Sequence, residues 1–154
     1  MFINTVFTTT PTILTTAYTL WNATVPSLAH VAGIQYFLIY QRIPAYVPGN
    51  SLGLYPDSHF NTLLVLSITW NDASDDALVN GIAQILTRDI EAATKAVGLY
   101  QRYKYLNYAA GFQDPIGSYG PQRVADLKRV SKKYDPQMLF QTRVRGGFKL
   151  FKDR

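Results

Sequence analysis

The sequence predicts an α+β fold, an antiparallel or mixed β-sheet with helices packed on one face. Three observations carry this. Phe2 to Thr10, Gly33 to Arg42 and Thr62 to Trp70 are rich in β-branched and aromatic residues, which fit a pleated surface. Between and after them lie two stretches whose apolar residues recur at helical spacing. The strands are of half-buried type and interleave with the helices, an order that suits a sheet covered on one side. With 154 residues and 47% apolar content, the chain is one domain's worth of globular sequence.

Taken in order, Phe2 to Thr10 reads as the first strand. Pro11 suits a first helical turn, and Ile13, Leu14, Ala17, Leu20 and Trp21 continue the helix until Pro26 begins a second short turn. Gly33 to Arg42 is the clearest strand. A loop follows, punctuated by Pro44, Pro48, Gly49, Asn50, Ser51 and Gly53, with Tyr46 and Tyr55 available to stack on a ligand or simply to cross a connection. After the strand Thr62 to Trp70, Asp72 or Ser74 is the expected N-cap of a long helix. Its stripe is Ala77, Leu78, Ile82, Ile85, Leu86, Ile90, Ala93 and Val97, and Gly98 closes it. Arg88, Asp89, Glu91 and Lys95 fall on its polar side and read as solvated surface. Val124, Leu127 and Val130 mark a short amphipathic helix that ends at Tyr134-Asp135-Pro136, and Arg143 to Arg154 reads as a basic strap.

Tyr103 to Gly120 is the most unusual stretch. An extended Tyr103 to Tyr108 places Tyr103, Tyr105 and Asn107 on one face and Lys104, Leu106 and Tyr108 on the other. A face carrying phenols and an amide is either a wetted sheet edge or the cover of a ligand, because buried polar groups need partners.

Composition narrows the chemistry. The chain has no cysteine, so disulfides and thiolate ligands are excluded, and His30 and His59 lack metal-ligand spacing, so no metal is expected. Residues 1 to 41 carry no Lys, Arg, Asp or Glu, whereas Arg123 to Arg154 holds ten of the fifteen basic residues. That basic end lacks aromatic interleaving or a helix-turn-helix pattern, so nucleic-acid binding is not expected. The threonine-rich N-terminus has neither the n-region of a secretory signal nor about 20 apolar residues in a run, so no membrane span is expected and the location defaults to cytoplasm. Asn22-Ala23-Thr24 is a sequon that the same reasoning leaves unused. No repeat or glycine-rich phosphate loop occurs.

Five islands carry a resemblance: Tyr105-Leu106-Asn107-Tyr108; Gln113-Asp114-Pro115-Ile116 with Ser118-Tyr119-Gly120; Lys133-Tyr134-Asp135-Pro136; Phe140-Gln141; and Gly146-Gly147-Phe148-Lys149-Leu150. In this order they resemble the C-terminal end of fungal berberine bridge enzyme-like FAD-linked oxidoreductases, clearly over about the last 55 residues. The sequence departs from that pattern at Ala109-Ala110-Gly111 and at Arg145. The resemblance implies an incomplete substrate domain of a vanillyl-alcohol-oxidase-type flavoenzyme over residues 1–108. Residues 109–154 would be the C-terminal berberine-like segment that returns to an FAD-binding domain. It also implies that Tyr105 lies beside the flavin as catalytic base and that Asn107 faces the isoalloxazine. A phenol with its ordinary pKa near ~10 must be depressed to serve as base at neutral pH. Tyr36, Tyr40, Trp70 and Tyr103 are the aromatic residues expected to line a pocket for a small hydrophobic substrate.

On this reading the cofactor is FAD in the parent family, and the chain alone is expected to bind none and to be inactive as an oxidoreductase. Its partner would be a separate FAD-binding domain or a second copy. The alternatives are a flavin-free cyclase or isomerase acting on a hydrophobic intermediate with Tyr105 as acid/base, and a non-catalytic interaction module.

Overall fold

The computed structural model describes residues 1–43, 49–52 and 60–151. Tyr46 and Tyr55 of the proline- and glycine-rich loop lie outside them. The chain runs β1 (Phe2–Thr8), α1 (Pro11–Leu28), β2 (Gln35–Arg42), β3 (Asn61–Thr69), α2 (Asp76–Ala96), β4 (Tyr100–Gln101), α3 (Pro115–Ser118), α4 (Pro121–Tyr134) and α5 (Leu139–Thr142). The four strands form one sheet in the order β2-β3-β1-β4, and every pairing is antiparallel. The α+β class is therefore the observed one.

Alternation along the strands gives the sheet two different faces. Ile3 and Phe7 of β1 and Leu64, Leu66 and Ile68 of β3 point to the face covered by α1 and α2. There they pack with Ile13 and Ala17 of α1 and with Val79, Ala83, Leu86 and Ile90 of α2. The opposite face carries Val6, Leu63 and Val65, and a second, smaller cluster forms on it with Tyr103 and Tyr119, flanked by Ile39, Tyr105, Tyr108 and Leu127. Helices on one face describes α1 and α2. The second face is partly covered too, by the chain between Tyr103 and Leu127.

Local chemistry explains the ends of the helices. The Thr10 hydroxyl accepts the Ile13 N–H at 3.2 Å and Pro11 begins α1. Thr15, Thr16 and Thr19 donate back to carbonyls one turn earlier, which lets a threonine-rich helix keep its hydroxyls satisfied. Pro26 does not start a new turn as expected; α1 runs through it to Leu28, because near a helix end it removes only one intrahelical bond. Asp72 caps a short 3₁₀ turn over Ala73–Asp75 by accepting the Ser74 N–H at 2.8 Å, and α2 grows directly from that turn. Gly98, at φ 70°, takes the left-handed position that follows the end of α2.

The expected strand from Tyr103 to Tyr108 is not formed. β4 is only Tyr100–Gln101, and Leu106–Tyr108 make a 3₁₀ turn. The cause is competition for the backbone: side chains take the peptide groups that a neighbouring strand would have used. The basic strap also differs from expectation. Within the described residues it folds back on its own segment, with the Lys149 ammonium donating to the carbonyls of Phe140 and Val144 and Leu150 N–H donating to Gln141.

Candidate functional site

The side chain that organises this region is Asn4, in the middle of β1 and fully buried. Its Oδ1 accepts the Tyr105 N–H at 2.8 Å, while its Nδ2 donates to the carbonyls of Tyr105 at 2.9 Å and Tyr108 at 2.7 Å. Gln113 completes the arrangement from the other side. Its Nε2 donates to the Asn4 carbonyl at 2.7 Å, and its Oε1 accepts the N–H groups of Asn4 and Ala110. The buried Asn4 amide and the half-buried Gln113 amide thus bind the turn Tyr105–Ala110 to the central sheet, taking up peptide groups of Tyr105, Tyr108 and Ala110.

That turn presents Tyr105 and Asn107. Asn107 Nδ2 donates to the Tyr105 hydroxyl at 3.0 Å. The Tyr105 ring meets Tyr108 edge-on at 5.2 Å, and Tyr108 in turn lies 5.1 Å from Phe2. Tyr103 stacks on Tyr119 at 6.0 Å, and burial, with smaller effects from Tyr119 and Tyr105, pushes its pKa up to about 12. Burial raises Tyr119 as well. Tyr103, Tyr105 and Asn107 therefore gather on the side of the second cluster, but a turn brings the amide to the phenol, not the alternation of a strand.

The other three aromatic residues lie elsewhere. Tyr36 and Tyr40 project from β2 onto the face covered by α1. The Tyr36 ring meets Trp21 at 5.6 Å and its hydroxyl lies 3.2 Å from Thr24 Oγ1; burial raises its pKa. The Tyr40 hydroxyl donates to the Leu14 carbonyl at 2.9 Å. Trp70 Nε1 donates to Asp76 at 2.8 Å, at the start of α2. The sheet stands between Tyr36 and Tyr40 and the Tyr105–Asn107 pair, so the structure does not bring these groups into one pocket.

A second polar centre lies at the β4 edge. Lys104 is buried, with its ammonium ion-paired to Glu91 of α2 and 3.2 Å from the Thr5 hydroxyl; its backbone N–H donates to Ser118 Oγ at 2.9 Å. Burial lowers the Lys104 pKa, and the Glu91 charge and hydrogen bond offset this only in part. Tyr100 beside it is raised to about 12, by burial first and by the Glu91 charge second. Glu91 is thus a correction to the sequence reading. It sits on the polar side of α2 by spacing, yet its side chain is only 17% exposed, because the chain after β4 folds over it. These groups line an open groove of about 840 Å³ between α2 and α3, shared with Ile85, Arg102 and Phe112. Lys104 is directed to this groove and not toward the Tyr105 phenol.

Sequence reasoning missed Asn4, Gln113 as its partner, and the Lys104–Glu91 pair. Asn4 carried a signal: an amide that alternation sets on one strand face with Phe2 and Val6 is out of place there unless it has partners.

The sequence of this chain is similar to those of fungal proteins. The chain is 39% identical over 105 residues to the FAD-dependent monooxygenase sdcF of Emericella nidulans, a match covering 66% of this chain and 21% of that protein. A match to the FAD-dependent monooxygenase AOL_s00215g279 of Arthrobotrys oligospora is 30% identical over 149 residues and covers 92% of this chain and 28% of that protein. A third, 34% identical over 148 residues, is to the oligopeptidase PhomG′ of Diaporthe leptostromiformis and covers 92% of this chain and 12% of that protein. Homologues of this chain thus include fungal FAD-dependent monooxygenases. The chain spans between 12% and 28% of the length of these three relatives. No family model matches the chain, and no solved structure matches it.

Proposed function

We propose that this chain is the substrate-domain portion, with the C-terminal segment, of a berberine bridge enzyme-like FAD-linked oxidoreductase of fungal secondary metabolism. The division at residue 108 and the vanillyl-alcohol-oxidase-type architecture belong to the same proposal. The observation that carries it is the Asn107–Tyr105 hydrogen bond, presented on the face of the sheet away from α1 and α2. FAD-dependent monooxygenases among the relatives support it.

The residues fit one wall of a flavin site. Asn107 spends one N–H of its Nδ2 on Tyr105, which leaves its Oδ1 to accept from a ligand and leaves the phenolic O–H of Tyr105 to donate. When bound, FAD supplies the hydride acceptor. Tyr105 would hold, and then receive or release, the proton that accompanies hydride loss from the substrate, with Asn107 orienting its oxygen. Tyr103 and Tyr119, both raised in pKa, stay protonated and serve as packing under this pair. On this reading the isolated chain is inactive and holds no flavin of its own.

The test is a chimera in which residues of this chain replace the matched segment of the Emericella nidulans monooxygenase. The proposal expects bound FAD and turnover, and a fall of about 100-fold in turnover on Tyr105→Phe with flavin content unchanged. A Tyr105→Phe chimera as active as its parent defeats the assignment of Tyr105. Submicromolar FAD binding by the isolated chain, read by flavin fluorescence, defeats the view that the cofactor site lies in other sequence.

A further inference from the structure

Strand β2 forms one edge of the sheet, and among the described residues no strand pairs with its outer side. Natural edge strands are blunted by charge, proline, bulges or short length, because a row of unpaired peptide groups is a template for another strand. Over Gln35–Gln41 β2 has none of these devices; its one charge, Arg42, stands at the end of the strand. It is eight residues long, pairs with β3 in unbroken register from Gln35 to Arg42, and carries no charge before Arg42. Ile43 N–H donates to the Asn61 carbonyl at 3.1 Å, which sets the phase of the ladder: odd-numbered residues bond toward β3, and Tyr36, Leu38 and Tyr40 turn their peptide groups outward.

We propose that two copies of this chain pair antiparallel through β2, about a two-fold axis passing between the two Leu38 residues, to form one eight-stranded sheet. The occupant follows from the sequence of the strand itself. A two-fold normal to the sheet keeps each copy's helices on the same side, so each residue must meet one of the same face, and the paired residue numbers must sum to an even value. Centring on Leu38 sets Tyr36 against the partner copy's Tyr40, Phe37 against its Ile39, and Gln35 against its Gln41. Aromatic meets aromatic, apolar meets apolar and amide meets amide, all pairings that stabilise antiparallel ladders. The one charge, Arg42, falls opposite Ile34 and meets no like charge. Phe37, 54% exposed in the single chain, is covered by this pairing, as is Tyr40 at 38%. A strand from an unrelated chain would need none of this self-matching. The inference stands apart from the flavin reading.

Sedimentation or light scattering on the full chain tests it. The expected mass is twice 17.3 kDa, and Phe37→Lys, a change at an exposed position, is expected to give the single-chain mass with an unchanged far-ultraviolet dichroism spectrum. The chain has no cysteine, so Leu38→Cys introduces a single thiol. The Cα separation of about 5.5 Å across a hydrogen-bonded antiparallel pair suits a disulfide, so oxidation is expected to yield a reductant-sensitive covalent dimer. A wild-type chain that remains monomeric overturns the proposal and leaves the edge to a different polypeptide. So does a dimer that survives Phe37→Lys, or one in which Leu38→Cys does not cross-link.

Discussion

Asn4 brackets Tyr105: its Oδ1 accepts the Tyr105 N–H and its Nδ2 donates to the Tyr105 carbonyl, across 101 residues of sequence. Asn4→Leu keeps a similar volume but strands three partly buried backbone groups of the turn. The expected cost is about 3 kcal/mol, measured by urea denaturation. Asn4→Asp is more diagnostic. A carboxylate accepts from Tyr105 N–H but faces two carbonyls it cannot bond, so its folded pKa is raised. Its stability is then present below the unfolded value near ~4 and lost as pH rises. Asn4→Asp is expected to approach wild type only in acid.

The Lys104–Glu91 pair gives a different signature. Lys104→Met takes from Glu91 its buried partner and leaves it only the exposed Lys95 ammonium at 3.4 Å and the Thr5 hydroxyl; it is expected to cost roughly 2 kcal/mol, while the double change to Met and Leu recovers most of that loss. A double change as unstable as the sum of the two single ones would show that the pair is not coupled.

Alkaline titration separates the buried phenols from the buried amine. The folded pKa of Lys104 is lowered, so the unfolded chain binds more protons in the window below the ordinary lysine value near ~10, and stability rises with pH there. Tyr103 and Tyr100 are raised to about 12. Their contribution is intact below the ordinary phenol value near ~10 and is lost as pH climbs toward their folded values. Spectrophotometric titration is expected to show a late phenolate step accompanied by unfolding, and Tyr103→Phe to remove part of its amplitude.

Gly117 and Asp114 form a single device. Asp114 Oδ1 accepts the Gly117 N–H at 3.0 Å at the start of α3, and a β-carbon on Gly117 would collide with that carboxylate. Gly117→Ala and Asp114→Ala are each expected to cost about 1 kcal/mol, and the double variant no more than either alone. Additive losses would show that the two positions act separately.

The strands and the two long helices were legible because period and residue type agreed, as in β3, where apolar residues run from Leu63 to Leu66, and in the 3.6-residue stripe of α2. The Tyr103–Tyr108 segment was misread for a physical reason. Its composition favours a strand, but its peptide groups bond to the Asn4 amide, 101 residues from Tyr105, and to the Ser118 hydroxyl, and no local pattern reports that. Glu91 was misread for the same reason: spacing assigned it to water, and a later part of the chain took the water away. The Asn107–Tyr105 hydrogen bond was not foreseen: the reading set both residues on one face of a strand, and a 3₁₀ turn brings them together instead.

Asp135 is buried at the end of α4, and its two carboxylate oxygens accept the N–H groups of Leu139 and Phe140. Beyond it, residues 139–151 bond mainly to one another through Lys149, Gln141 and the carbonyls of α5, and no residue among them is buried. Such a hook, fastened by one carboxylate and by Lys128 of α4 over the Phe151 ring at 5.5 Å, is built to open by itself. Its amide protons should exchange with deuterium long before those of β1 and β3, and together, as one cooperative unit whose opening energy is set by Asp135 and not by the sheet.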